Sequence, residues 1–415
     1  MNPRASVAEA LAAVNTAAKD DVDGTGPAHL KLLDAIHRLN RAAEAPVERL
    51  TRIRWEPVRA LAINAAIEIG AIQYIAKNKG RYVTAKELAS ATGQSELFIS
   101  RIMRPITYEG ICDETGEYEY AANDLTELEA TPGHISAEQH HFEMWFPLCA
   151  KLLDFMREKG FSETPTTDPN ANNLFKYTFG SNIWEYFPSH LEQAKHFNDL
   201  MSMRRVGFAS WHDSYPFAER LIPGARSGSE DVLIVDVGGN KGHEVASFHD
   251  KHPDAPGRLI VQDLPPVVDS YKHNSPQYIE WMSHDFFTPQ PIKGKGFTVK
   301  VTLNLTIGSG ARTYFLQNVC HDWPDDANKT ILSHIADAME KDYSTLLICD
   351  YVLPDTGVTM RAALIDLVVM TYFASGIERT KTQWDRLLDE CGLEIIGIWG
   401  WRSDWEQVIE ARLKA

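Results

Sequence analysis

The chain contains no uncharged apolar run long enough to span a bilayer, so no membrane partner is expected. Positive charge is in short supply. Lys and Arg number 41 against 57 Asp and Glu, a net charge of −16. A surface of that sign repels a phosphate backbone, and nucleic acid is a poor partner for it. Cysteine is scarce, with Cys112, Cys149, Cys320, Cys349 and Cys391 scattered and no Cys-x-x-Cys pair. An odd, dispersed set reads as reduced thiols in a cytosolic protein. The opening Met1-Asn-Pro-Arg-Ala-Ser6 has no basic start followed by an apolar run, so no signal peptide is expected and the expected location is cytoplasmic. His140-His-Phe-Glu143 lacks the i, i+4 spacing of a helical metal pair, and no metal is expected. A full Gly-x-Gly-x-x-Gly is also missing, which leaves less provision for a pyrophosphate.

What is present centres on Leu233-Ile-Val-Asp-Val-Gly-Gly-Asn-Lys-Gly-His243. Mostly β-branched apolar residues around Asp236, from Val232 to Val237, run straight into a glycine-rich turn. That is the pattern of a buried parallel strand ending at a ligand. Gly238 and Gly239 leave no side chain between main chain and cofactor, and Gly242 stands where a helix would begin. A helix over Glu244 to Lys251 and a strand over Arg258 to Gln262 follow, and Asp263 is placed to take a ribose hydroxyl pair. S-adenosylmethionine carries an adenosine and no phosphate, which suits this looser loop. A nicotinamide cofactor and a purely structural unit are the alternatives.

At 415 residues the chain exceeds the usual single core, and it divides by composition. Residues 1–50 read as an Ala-rich helical extension broken by a loop at 20–27. Residues 51–205 read as a mostly helical domain. In it Pro57 to Ile75 is an amphipathic helix, and Thr84 with Glu87 forms a capping box. The next helix runs from Glu96 to Thr107 and a short ribbon from Ile111 to Ala121, giving a winged helix-turn-helix. Its Arg101 and Arg104 are opposed by Glu96 and an acidic wing of Asp113, Glu114, Glu117 and Glu119, so scaffolding or dimerisation is expected rather than DNA binding. Residues 140–205 are rich in aromatic rings that can wall an apolar pocket. Residues 206–415 alternate strands and helices: Ile279 to Met282, Thr313 to Val319, Ser344 to Asp350 and Leu393 to Ile398 are the later strands. The expected fold is α/β, a doubly wound Rossmann-like sheet with ligands beyond the strand C-terminal ends.

His321 lies at that ligand edge, and its ordinary pKa suits proton abstraction. Asp350 is expected to end the next strand on the same edge, and Glu378 enters from a loop. A carboxylate beside an imidazole fixes its tautomer. A structural alternative has the His321 turn merely capping the helix that starts near Pro324.

Five ordered motifs then coincide: Asp236-Val-Gly-Gly, Gln262-Asp-Leu-Pro, His284-Asp-Phe-Phe, His321-Asp-Trp-Pro-Asp-Asp and Gly376-Ile-Glu-Arg-Thr. Together they resemble the plant and fungal small-molecule O-methyltransferases, the metal-independent, caffeate-methyltransferase-like enzymes. The likeness covers roughly residues 55–412. It implies S-adenosylmethionine as cofactor, an aromatic or polyketide hydroxyl as acceptor, and a homodimer formed through the N-terminal helices. It also implies a site: His321 as general base with Asp350 and Glu378 orienting it. The cofactor would meet Asp236, Gly238, Gly239, Gly242, Asp263, Leu264, Asp285, Phe286 and Gln317, and the acceptor Trp184, Met201, Asp366 and Met370.

Three departures stand out. The position of Asp350 is usually Glu, and that of Gln317 usually Lys or Arg. Residues 295–310 look inserted, and inside them Phe297, Val299, Val301, Leu303, Leu305 and Ile307 alternate with other residues as in a strand. This segment reads either as an extra hairpin arm or as a translated intron. The competing functions are a non-methylating relative that catalyses pericyclic or dehydration steps, and a transcriptional regulator.

Overall fold

A computed structural model describes residues 3–24, 26–159, 173–203, 210–293, 310–373, 376–400 and 405–415. The turn-rich stretch at 165–172 and the inserted alternating segment at 295–309 lie outside the described residues. The chain forms two units, one of residues 1–147 and 187–206, the other of 148–186 and 207–415. No single helix among the described residues is long and apolar enough to cross a membrane.

In the first unit, helices Pro3–Asp20 and Gly26–Ala43 pack side by side. Helix Pro46–Glu68 begins well before Pro57, which was expected to open it. Pro46 takes the first helical position, where the missing N–H is unneeded, and Glu48 accepts the Ala45 N–H. The helix ends at Glu68, and after Gly70 a second helix, Ala71–Lys77, continues at a bend of 62°. The capping box at Thr84 and Glu87 opens helix Ala85–Thr92, and Ser95 caps helix Glu96–Tyr108. Three short strands complete the winged element: β1 (Tyr82–Thr84), β2 (Asp113–Gly116) and β3 (Glu119–Ala121), ordered β1-β3-β2 and antiparallel. Strand β1 is absent from the sequence reading because three residues are too few to show a period. Ala66, Ile67, Ile72, Ile75, Leu88, Ile99, Met103 and Ile106 form the core. Leu50, Ile53, Trp55, Val58 and Leu61 of the long helix stay exposed.

The second unit is built on a Rossmann-like sheet. Its strands are β4 (Val232–Val237), β5 (Arg258–Asp263), β6 (Ile279–Ser283), β7 (Thr313–Gln317), β8 (Thr345–Leu353), β9 (Arg379–Thr380), β10 (Leu393–Trp399) and β11 (Glu406–Leu413). The order is β10-β11-β8-β7-β4-β5-β6, with β9 paired to β8. From β8 to β6 the pairs are parallel, and every residue of β4 and β8 is buried, as helices on both faces require.

Two features differ from the sequence reading. Strand β11, absent from the sequence reading, enters antiparallel between β8 and β10 and leaves Leu393–Trp399 as the edge strand. Asp350 does not end its strand. β8 runs on to Leu353 because β11 pairs with Tyr351 and β9 with Val352 and Leu353. Asp350 is therefore an interior strand residue with a fully buried side chain.

Candidate active site

The C-terminal ends of the parallel strands bring three loops together. Strand β4 delivers Gly238, whose φ of 78° lies in the left-handed region. The amides of Gly238 and Gly239 both donate to the carbonyl of Gln262, at 2.8 and 3.0 Å, which folds the turn onto the end of β5. A Cβ on Gly238 would lie 3.0 Å from Val319 Cγ2 and 3.7 Å from Phe286 Cε1. The glycine thus meets both the loop after β6 and the turn after β7. Gly239 serves packing instead, since a Cβ there would sit 2.6 Å from Asp236 and 2.8 Å from Val261. Gly242 has no room either, with Trp281 and Val261 at 3.3 Å from such a Cβ. Asp236 is buried beneath the turn.

Asp263 ends β5. Its two oxygens each accept one backbone N–H, from Asn240 at 2.9 Å and from Leu264 at 2.7 Å. A carboxylate offers about four acceptor positions, so capacity remains for a pair of hydroxyl donors. Burial raises its pKa, and the two amides work against that shift. Leu264 is half exposed beside it. Asp285 turns its loop by accepting the Phe287 amide at 3.0 Å. Phe286, Phe287 and Trp323 form an aromatic cluster, with Phe287 and Trp323 edge to face at 4.8 Å. An adenosine-bearing cofactor fits these parts: a side-chain-free backbone at Gly238, a half-satisfied carboxylate at Asp263, and a ring wall at Phe286.

The turn after β7 carries His321. Asn318 sits at a φ of 51° and donates its amide to the Cys349 carbonyl. A single 3-10 turn, Cys320–Asp322, then buries His321 to 6% exposure. Its Nδ1 lies 2.8 Å from Glu378 Oε1, and its Nε2 lies 3.3 Å from Asp322 Oδ1. With Glu378 at Nδ1, that nitrogen carries the hydrogen in the neutral imidazole, and Nε2 is the nitrogen that gains or gives up the second proton. His321 thus does not act as the cap of the following helix, whose N-cap is Pro324. Neither oxygen of Asp350 nor Oε2 of Glu378 has a hydrogen-bond partner among the described residues.

This crowd of carboxylates sets the proton balance. Burial opposes charge on His321, but Glu378, Asp322 and Asp350 outweigh it and push its pKa up to about 10. Burial pushes Asp350 up to about 8, with His321 pulling it down and Glu378 and Glu406 adding to the rise. The protons belong to the cluster as a whole.

The remaining sequence-picked residues are placed as follows. Gln317 donates its amide to Glu406 Oε2 at 2.9 Å, while its buried Oε1 has no partner among the described residues. Asp366 accepts the Glu378 amide at 2.9 Å, so one of its oxygens holds the loop that carries Glu378. Met370 lies on the same helix, Met360–Tyr372, partly exposed. Trp184 stands in helix Ile183–Ser189, its side chain outside the described residues, and Met201 in helix Leu191–Met203 of the other unit. Sequence reasoning missed Asp322, Asn328, Arg379 and Glu406. Asp322 and Arg379 lay inside the quoted motifs, but a charged residue gives no sign in sequence of being buried. Glu406 lay on the unrecognised β11.

Residues 163–394 match the O-methyltransferase domain family. Demethylsterigmatocystin 6-O-methyltransferase of Aspergillus parasiticus is 33% identical over 347 residues, 83% of this chain and 83% of that protein. A solved pericyclic reaction enzyme is 25% identical at a TM-score of 0.82, covering 98% of this chain and 100% of its own. OxaC in complex with SAH and oxaline is 27% identical at a TM-score of 0.80, covering 99% of this chain and 100% of its own.

Proposed function

The chain belongs to the S-adenosylmethionine-dependent O-methyltransferases, and from that premise we propose that it methylates a phenolic or polyketide hydroxyl, with His321 Nε2 taking the hydroxyl proton. The observation that carries this reading is the buried His321–Glu378 couple, 2.8 Å apart. It sits on a turn whose Val319 abuts Gly238. When bound, S-adenosylmethionine supplies a methyl group on a positively charged sulfur. Gly238 and Asp263 would hold the methionine and ribose parts, Phe286 the adenine. The orphan Oε1 of Gln317 offers an acceptor to an N–H donor. Glu378 orients the imidazole and stabilises it once protonated. The protein's further work is to position the acceptor and to keep water out.

A flat acceptor is supported by the rings of Phe175, Phe179, Tyr186 and Tyr372, which cluster beside the helix bearing Asp366 and Met370. The exposed row Leu50, Ile53, Val58 and Leu61 supports a homodimer, in which a second copy covers it. The five free cysteines support a reducing, cytoplasmic setting. A Leu50→Glu variant should then run as a monomer by light scattering where the native chain runs as a dimer. An unchanged mass removes that face from the interface.

One observation favours a second reading. An imidazole raised to about 10 holds its proton at neutral pH and can serve as a donor in a non-methylating reaction, as suits likeness to a pericyclic reaction enzyme. Incubation with S-adenosylmethionine and a panel of phenols separates the two. Release of S-adenosylhomocysteine with a methylated product supports methyl transfer. Cofactor binding without release across the panel overturns it in favour of the second reading.

A further inference from the structure

Arg379 follows Glu378 directly and is 1% exposed. A guanidinium at that depth persists only with its N–H groups matched. Nε and Nη2 reach Asp325 Oδ1 at 2.9 and 2.8 Å. Nη1 donates to the carbonyl of Cys320 at 3.0 Å, and Nη2 to that of Trp323 at 2.8 Å. Those carbonyls stand one residue before and two after His321. Between them, the His321 carbonyl accepts the Ile377 amide at 2.8 Å. The buried Asn328 amide backs the arrangement, donating to the carbonyls of Cys320 and Trp323 at 2.8 Å each. Gly376 permits the close approach, since a Cβ there would lie 3.2 Å from the His321 carbonyl and 2.6 Å from that of Val369.

The segment that supplies the carboxylate to the imidazole therefore also grips the backbone on which the imidazole is mounted. The planar fork of Arg matches three acceptors at once, which a Lys ammonium on a flexible stem does not reproduce. We propose that Arg379 is a positioning residue for His321, fixing the register between the imidazole and Glu378. It thereby fixes the tautomer that leaves Nε2 to the acceptor. The part of this inference that concerns rate rests on His321 being the proton acceptor; the placement itself does not.

The test compares the native protein with Arg379→Lys, and with Asp325→Asn, a milder change at a partly exposed anchor. In protein labelled with 15N-histidine, the Nδ1–H resonance of His321 is identified by its loss in His321→Gln. Arg379→Lys should bind S-adenosylhomocysteine as the native protein does. It should lose or shift the Nδ1–H resonance, and its kcat should fall on the order of tenfold to hundredfold with KM for the acceptor little changed. Asp325→Asn should shift the resonance in the same direction by less. A folded Arg379→Lys with a native resonance overturns the proposal, even if its melting temperature falls. If Arg379→Lys does not fold, an unmoved resonance in Asp325→Asn overturns it instead, and a shifted one supports it. A displaced resonance with native kcat keeps the placement role and overturns the reading of His321 as base.

Discussion

The two sides of the ligand edge are built by opposite means. On the β4 side the protein presents main chain: the Gly238 turn with its amides spent on Gln262, and Asp263 held by two further amides. On the β7 side it presents side chains, the buried His321, Glu378 and Asp350 and the partly buried Asp322, contributed by segments up to 57 residues apart. Backbone cradles discriminate by shape and tolerate sequence change around them. A buried cluster of ionisable groups discriminates by proton, and each member alters the others. Binding and chemistry should therefore separate cleanly when each side is disturbed.

The largest separation comes from His321→Ala. Turnover should fall by about 10²- to 10⁴-fold, the range a positioned general base supplies, while calorimetry finds S-adenosylmethionine affinity unchanged. Loss of affinity as well would mean that the two sides are one site. Asp263→Asn probes the other side. Replacing a charged acceptor of the ribose hydroxyls should weaken cofactor binding by roughly tenfold to hundredfold, with kcat at saturating cofactor largely kept.

The smallest effect at neutral pH is expected from Asp350→Asn, and here pH sharpens the contrast. The Asp350 carboxyl is raised from 3.8 to about 8 because burial penalises its ionised form. The unfolded chain ionises at the lower value, so the stability this group contributes is complete below about pH 4 and is lost as pH rises toward about 8. His321, raised from 6.5 to about 10, adds a loss of the same sign between those values. Melting curves from pH 6 to 9 should show Asp350→Asn gaining on the native protein, with kcat near pH 7 within a few-fold. Parallel curves would show that Asp350 is ionised throughout.

The same contrast decides how much was legible in sequence. The β4 strand, its glycines and Asp263 are contiguous or one βαβ unit apart, and periodicity with turn chemistry suffices to find them. The capping box at Thr84 was equally plain. His321 and Glu378 were paired through the family resemblance, while local pattern alone could not pair them, because their 2.8 Å contact depends on β9 docking against β8, which two residues of strand cannot announce. Asp350 was placed at a strand end because its apolar run stops there. Tertiary pairing carried the strand three residues further. Strand β11 was missed because Glu406 and Glu410 interrupt its apolar pattern. Both are buried, and Glu410 is met by Arg220, Tyr215 and Arg412 from elsewhere in the chain.

The adjacency of Glu378 and Arg379 also bears on heredity. Along an extended segment neighbouring side chains point opposite ways, so one reaches the imidazole and the other the carbonyls behind it. With Gly376 fixed, dropping one codon before Glu378 would bring Arg379 to the place of Glu378 and Thr380 to the place of Arg379, so the imidazole would lose its carboxylate and the carbonyls their guanidinium in a single event. A substitution here disturbs one of the two contacts, whereas a change of length disturbs both. Among descendants that keep the activity, this five-residue stretch should keep its length, with Gly376, Glu378 and Arg379 in place.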